Sequence, residues 1–347
     1  MEKKETNTLS IFQRPVWVSL FALTAAISWG WAYPLIKMGM EEYQITADMT
    51  GSKMLFAGIR FFISGIIILA IARSSHRKFG FKKKAVRKKN HDVQENYDVQ
   101  ENYDVQENHD VQENGSFSFL TNSNVWFLLL YALLNTTLHY AFFYFGLSHN
   151  AGARSAILNS MSVFTVVIFA CIFFKSDKMT WRKALGCIIG FLGILALNLG
   201  GKESGSFTFL GDGMIILNAL CGASASLLTR GLSKRVDVFV GTGYSLSIGG
   251  ALLVIPALLM GGNLPVISLW GVTILLLLIA ISTISFALYN KLLSCNPVGK
   301  VAIYNSLIPV VGAITSCLCL GEAFYWKYLI AGALATAGIY IINKGKK

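Results

Sequence analysis

Charge is scarce in this chain. Of its 347 residues, 14% are Asp, Glu, Lys or Arg and 54% are hydrophobic, with a mean hydropathy of +0.55. A soluble domain carries about 25% charged residues, so an ordinary soluble protein is excluded and a polytopic membrane protein is implied. Carboxylates are absent from the interiors of the apolar runs: Asp212, Asp237 and Glu322 all stand at run ends. No HExxH, GxSxG or P-loop occurs, and no potassium-type filter. Metal-assisted hydrolysis, ATP-driven pumping and enzymatic function therefore lack residues to carry them. The six cysteines (Cys171, Cys187, Cys221, Cys295, Cys317, Cys319) form no CxxC and have no histidine at metal-ligand spacing, so they are read as small packing residues, with no metal and no cofactor expected. A cleavable signal is not expected either. The first apolar run is too long for one and continues through Trp29-Gly30-Trp31-Ala32-Tyr33-Pro34, where a small-residue cleavage site would be needed.

What is present is a series of ten apolar runs, near 16–38, 54–73, 124–147, 151–174, 181–200, 211–231, 237–260, 268–294, 298–320 and 325–343. Each approaches the ~20 residues that cross a hydrocarbon layer of ~30 Å. None alternates like a barrel strand, so all ten are predicted as helices, which satisfy their own backbone in lipid. The net charge of +12 points to orientation and not to nucleic acid, because the basic residues sit between the runs. With the N-terminus inside, 24 of the 30 lysines and arginines fall on the inner side, while Lys37, Lys53, Arg154, Lys202 and Lys327 fall outside and Arg60 lies within a run. Both termini are therefore predicted to be cytoplasmic, in a multi-pass protein of the cytoplasmic membrane.

The chain also repeats itself. Leu147–Val163 reads LSHNAGARSAILNSMSV and Leu293–Pro309 reads LSCNPVGKVAIYNSLIP, with seven identities on one ungapped register, among them Asn159/Asn305, and with Arg154/Lys300 keeping the charge. The same offset of 146 joins Gly186 to Gly332; an offset of 192 joins Gly30 to Gly222 and Gly39 to Gly231, and one of 184 joins Gly65 to Gly249. Five runs per half, an odd number, send the second half into the membrane in the opposite sense. The expected architecture is all-α, with ten transmembrane helices in two inverted five-helix repeats. A cytoplasmic N-terminus (1–15) precedes the first repeat (16–200); the second repeat (201–343) is followed by a cytoplasmic tail (344–347).

The first repeat carries a cytoplasmic insertion at about 74–122. From His91 to Asn114 it reads HDVQEN, YDVQEN, YDVQEN, HDVQEN, after the basic run FKKKAVRKK. Low hydrophobicity and high charge leave nothing to bury, so disorder is expected. The repeats are either a neutral expansion or a docking tether.

Polar residues inside the runs cost free energy unless something holds them there. At ~1.5 Å per residue, Arg60, His139 and Asn159 lie at a similar depth from the outer end, with Trp29 and Tyr33 one turn apart at that level and Asn135 one turn from His139. Tyr140 adjoins His139. The repeat sets Tyr244, Ser285, Tyr289 and Asn305 at the matching depth from the inner side. A cavity between these two layers is the simplest use for them. Alternatives stay open at each position: Arg60 snorkels to the interface or pairs with Glu41, Glu42 or Glu322; His139 and the asparagines tie helices together; glycine pairs such as Gly186 and Gly190 are packing positions. Pro34 and Pro309 permit kinks. His139 is the mid-membrane group that can titrate near neutral pH and so couple protons.

Trp29-Gly30 followed by Lys37, an early arginine at Arg60, Asn305-Ser306-Leu307-Ile308-Pro309 leading to Leu320-Gly321-Glu322, and the ending GEAFYWKYLIAGALATAGIYIIN together resemble the drug/metabolite transporter superfamily, specifically its EamA-like permeases. The resemblance spans the chain outside the hexapeptides. It implies alternating access between two inverted bundles, a central substrate cavity, and export of amino acids, nucleosides or other small organic metabolites. Gly30, Gly222, Pro34, Pro309 and Glu322 take structural or gating places in that scheme. Two departures stand out: Lys175-Ser176 replaces the family's Gly-Glu after the fourth helix, and Val163 stands where the second half has Pro309.

The expected function is a secondary transporter, an exporter of small organic metabolites, with the small-molecule substrate and the bilayer as partners and a homodimer through glycine-rich faces as an option. The alternative is a membrane scaffold or sensor whose long inner loop docks a soluble protein. Deleting His91–Asn114 separates them: a transporter keeps its flux within about twofold in vesicles, and a scaffold loses its partner in a pull-down.

Overall fold

The computed structural model describes residues 11–91, 122–173, 178–196, 207–232, 235–296, 301 and 303–343, with the backbone alone for 75–91, 122–124, 194, 230, 303, 306 and 343. The hexapeptides beyond His91, residues 1–10 of the expected N-terminal tail, the expected C-terminal tail, and Lys175, Ser176, Lys202 and Lys300 lie outside the described residues.

Among the described residues all regular structure is helical. Helix α1 is Pro15–Glu42, behind a 3-10 turn at Ile11–Gln13, and α2 is Thr50–His91. Helix α3 runs as Asn122–Ala132, a π-helical turn Leu133–Thr137 and Leu138–Ser148; α4 as Gly152–Asn159 and Met161–Phe173. Helix α5 is Trp181–Ala196, and α6 opens with a π-helical turn Phe209–Gly213 and continues as Met214–Leu232. Then come α7, Val238–Leu259, and α8, Leu269–Cys295. Helix α9 joins a 3-10 turn Ile303–Ser306 to Leu307–Leu320, and α10 is Trp326–Asn343.

Local chemistry sets several starts. Pro15 occupies the first helical position of α1, where no amide hydrogen is needed. Thr208, Asp237 and Ser268 cap α6, α7 and α8 by accepting from the amides of Gly211, of Phe239 and Val240, and of Gly271. Ser268 in turn donates to Glu42 Oε2 at 2.8 Å, closing the α1 end onto α8.

Seven of the described helices, or the spans they form, are long and apolar enough to cross a membrane: 15–42, 50–74, 125–148, 152–173, 209–229, 238–259 and 269–295. Leu307–Leu320 and Trp326–Ile342 are equally apolar in character but shorter. The surface fits such a solvent, since large aliphatic side chains such as Ile66, Ile188, Leu276 and Leu318 point outward while Ser64, Thr136, Asn218, Ser245 and Ser282 are buried. Many of the hydroxyls bond back to the carbonyl four residues earlier, as Ser64 does to Arg60 O (2.7 Å) and Thr242 to Val238 O (2.6 Å). The chain is a multi-pass membrane protein.

Packing follows a pattern. Helix α2 lies along α7 and α5 along α10, while α1 packs on α8 and α9 and α6 packs on α3 and α4. Small residues let backbones approach. A Cβ on Gly58 would meet Gly250 O at 3.0 Å, and one on Gly186 would meet Gly338 O at 2.6 Å. Gly186 and Gly190 thus serve packing inside one chain.

Two differences from the sequence expectation have plain causes. The backbone of α2 stays helical to His91, well past the apolar run, because the stretch after residue 80 is mostly Lys and Arg, good helix formers, with no proline. Pro34 sits within an unbroken α1, whereas Pro309 falls in the first turn of the α-helical part of α9, where a missing amide hydrogen costs little.

The α2–α7 seam can be checked directly. Gly250→Val would drive a side chain into the backbone of Phe62, whose Cα lies 2.8 Å from an added Cβ. A loss of about 1–3 kcal/mol is expected, seen as a lower melting temperature in detergent. The outward-facing Ile66→Val change should leave the melting temperature in place.

Candidate functional site

The bundle encloses a cavity of about 340 Å³ whose lining runs from Ile36 and Arg60 near mid-bundle to Lys183, Ser294 and Ile342 at one end. Of the residues nominated from the sequence, Trp29, Tyr33, Arg60, Asn135, His139, Tyr140, Asn159, Tyr289 and Asn305 line it, as does Gly222. They come from α1, α2, α3, α4, α6, α8 and α9, so the cavity is a meeting point of the two halves of the chain.

Arg60 is 1% exposed and neither snorkels nor pairs with Glu41, Glu42 or Glu322. Its Nε donates to Ser282 Oγ (2.7 Å) and Leu278 O (3.2 Å), and its Nη1 to Tyr144 Oη (3.1 Å). The guanidinium carbon stands 4.8 Å from the centre of the Phe61 ring. All of these partners are neutral. A guanidinium has five N–H donors, so hydrogen-bonding capacity is left over beside the cavity.

The repeated asparagines do the same job twice. Asn159 Nδ2 donates to Tyr33 Oη (2.9 Å), and Asn305 Nδ2 donates to Tyr289 Oη (2.6 Å). Each pins a tyrosine hydroxyl at the cavity wall. Asn218 of α6 extends the first pair by donating to Asn159 Oδ1 at 2.7 Å. Asn135, in the π-helical turn of α3, donates to Ser245 Oγ at 3.0 Å, which holds α3 to α7. A π turn re-aims side chains at such points.

Aromatic rings form the remaining wall. Tyr140 lies between Phe61 (3.9 Å between centroids), Phe143 (6.1 Å) and Phe286 (6.3 Å), and Trp29 meets Phe286 and Tyr289 edge-on at 5.5 and 5.1 Å. Within this apolar wall Trp29 Nε1 and His139 Nδ1 are buried with no hydrogen-bond partner among the described residues. Nδ1 of His139 is thus a polar atom that the protein itself leaves unsatisfied. Space for the imidazole exists only because α6 has a glycine there: a Cβ on Gly222 would lie 2.6 Å from Cε1 and 2.8 Å from Nδ1. Gly30 does similar service for Val311 of α9, 2.5 Å from an added Cβ.

Two nominated residues are not among those that line the cavity. Tyr244 packs on the separate cluster of Leu128, Tyr131, Ala225 and Leu232. Ser285 is buried with its hydroxyl unpartnered, and its neighbour Phe286 faces the cavity instead. These two were chosen by depth, but one residue turns a helix by roughly 100°, and depth alone does not choose the face. The lining residues Phe143, Phe286, Asn290 and Lys183, and Asn218 behind Asn159, went unnominated. Asn218 and Asn290, polar within apolar runs, carried the signal that could have found them.

Glu322 lies away from the cavity. Its Oε1 accepts from Gly152 N (2.7 Å) and Lys37 Nζ (3.1 Å), its Oε2 from Ala153 N (3.0 Å). The carboxylate therefore satisfies the start of α4 and its partial positive charge.

A helical bundle spanning a membrane around one polar, aromatic cavity defines the class. The EamA-like transporter family profile matches residues 111–199 and 209–344, and the chain belongs to that family. It is similar to two uncharacterized transporters of Bacillus subtilis: YetK, at 25% identity over 67% of this chain and 72% of that protein, and YvbV, at 24% over 92% and 90%. A probable amino-acid metabolite efflux pump of Salmonella typhimurium is 25% identical over 55% of this chain and 67% of that protein. A solved crystal structure of 17% identity shares the fold, with a TM-score of 0.60 over 93% of this chain and 95% of that one.

The His139 pocket gives a test. Gly222→Ala places a methyl where the imidazole now sits, so His139 must turn. The imidazole resonances of His139, followed by NMR in labelled protein, should shift, with the melting temperature falling by no more than a few degrees.

Proposed function

We propose that this chain is a secondary transporter, an exporter of small organic metabolites bearing an acidic group, amino acids and organic anions ahead of nucleosides. The observation that carries this is Arg60: a guanidinium buried beside the central cavity, held by Ser282, Tyr144 and a carbonyl, with no carboxylate bonded to it among the described residues. A buried cation held only by neutral groups is stabilised by an anionic ligand far more than a surface cation would be. The indole N–H of Trp29 offers a donor for a second acceptor on the solute, and the rings around Tyr140 suit a flat or apolar body. The named activity of the Salmonella relative supports the amino-acid class.

In this reading ten helices form two inverted repeats that rock about the cavity. Support comes from the two separate matches to the family profile and from the packing: exchanging the halves turns the α1–α8 and α1–α9 contacts into α6–α3 and α6–α4 and leaves α2–α7 and α5–α10 unchanged. The distribution of Lys and Arg supports cytoplasmic termini in the cytoplasmic membrane, which makes the Lys183 end of the cavity the inner one. His139 is assigned to proton coupling, because it is an imidazole among the residues that line the cavity and can take up and release a proton.

The test is flux and binding by Arg60→Gln, reconstituted after correct insertion is verified. Affinity for an acid-bearing solute should fall at least tenfold, about 1.4 kcal/mol, while any neutral solute the protein carries is affected less than twofold. Unchanged flux of the acidic solute would remove the assignment. Separately, His139→Gln should abolish accumulation driven by a pH gradient yet leave solute exchange at zero gradient; equal loss of both would withdraw the coupling role alone.

A further inference from the structure

The end of the bundle remote from Lys183 is fastened by charge. Arg154, two residues into α4, forms a double contact with Asp212 in the π turn of α6: Nε to Oδ1 at 2.8 Å and Nη2 to Oδ2 at 2.7 Å, with both side chains almost wholly buried. Asn150 Nδ2 adds a bond to Asp212 Oδ1 at 2.7 Å. Beside it, Glu322 binds Lys37 Nζ and the first amides of α4, and Lys37 also donates to Asn150 O at 2.9 Å. Lys37, Asn150 and Arg154 belong to the first half of the chain; Asp212 and Glu322 belong to the second. Both ion pairs therefore bridge the seam that would have to part for the cavity to open at this end.

At the positions that correspond to these in the other half, the sequence carries no carboxylate. The repeat register sets Leu20 opposite Asp212, Thr229 opposite Lys37 and Ser176 opposite Glu322, and Lys300 opposite Arg154 is the one position that keeps its charge. The contacts that cross the seam there among the described residues include Asn296 Nδ2 to Phe12 O (2.7 Å) and Ser19 Oγ with Tyr304 Oη (2.6 Å), both neutral. The cavity lining includes Lys183, Ser294 and Ile342 but none of Lys37, Asn150, Arg154, Asp212 and Glu322.

We propose that Arg154–Asp212 and Lys37–Glu322 form a one-sided latch, in which Asp212 and Glu322 are positioning residues that hold the cavity open toward the Lys183 end and closed toward their own. Parting a buried, doubly bonded ion pair strands two charges in a poor solvent, whereas parting neutral hydrogen bonds strands none. Opening at the Glu322 end therefore carries the cost of parting both pairs. A bound solute shifts that balance only through its difference in affinity for the two states.

The proposal rests on the transporter reading above, but its test needs no substrate, so failure of one is distinguishable from failure of the other. A cysteine placed in the lining by Ser162→Cys is labelled with a membrane-impermeant thiol reagent from each face of vesicles of verified orientation, after subtracting the labelling of the native cysteines. The otherwise unaltered protein should label chiefly from the Lys183 face. Lys37→Gln, Glu322→Gln and Asp212→Asn should each raise labelling from the Glu322 face at least threefold and lower it from the other, and Arg154→Lys should stay closer to the parent than Arg154→Gln. Should Asp212→Asn fail to insert, the less deeply buried pair Lys37 and Glu322 still carries the test. An unchanged ratio of the two faces in the inserted variants overturns the proposal, and so does an equal rise from both faces, which marks a loosened bundle and not a latch.

Discussion

A polar group in hydrocarbon must find its partner inside the protein, and most of this structure follows from that constraint. Serine and threonine hydroxyls return to their own helices, as at Ser64 and Thr242. Asparagines reach across to neighbouring helices, as at Asn135, Asn159 and Asn290. The large aliphatic side chains take the outside. Once those assignments are made, some of the groups left over meet at the cavity. Trp29 Nε1, His139 Nδ1 and the spare donors of Arg60 all belong to the lining of the same cavity.

Buried charge, among the described residues, is divided between that centre and one end of the bundle. Arg60 is held by neutral oxygen atoms in the middle, while Arg154 and Lys37 have carboxylates at the end. The contrast is physical, since a paired charge closes a seam and an unpaired one waits for a ligand. Glycine makes the arrangement possible at both levels: Gly222 leaves room for His139, and Gly58 with Gly250 brings α2 against α7.

Much of this was legible in the sequence, and the failures are instructive. The depth of Arg60, His139 and Asn159 could be counted from the ends of the runs, and the repeated Asn159 and Asn305 announced themselves through their register. The faces of Tyr244 and Ser285 could not be counted, because every neighbouring position in an apolar run looks alike to a hydropathy pattern. The Arg154–Asp212 pair was out of reach for another reason: its members are 58 positions apart, on helices whose contact depends on tertiary packing. One clue existed. A cation within the first turn of a helix opposes the helix dipole, so Arg154 called for a nearby anion. The basic stretch after α2's apolar run shows the limit in the other direction, where good helix formers continue a helix that burial does not require.

The central claim is that the cavity carries a small acid-bearing solute from one face of the membrane to the other. Its most direct test is uptake and efflux of a mixed pool of labelled amino acids, nucleosides and organic anions in vesicles holding the purified protein, with and without an imposed pH gradient. Movement of an acid-bearing class, accelerated by the gradient and competed by unlabelled members of that class, is the predicted result. Movement confined to solutes without an acidic group, or no movement in vesicles where insertion has been verified, would contradict it.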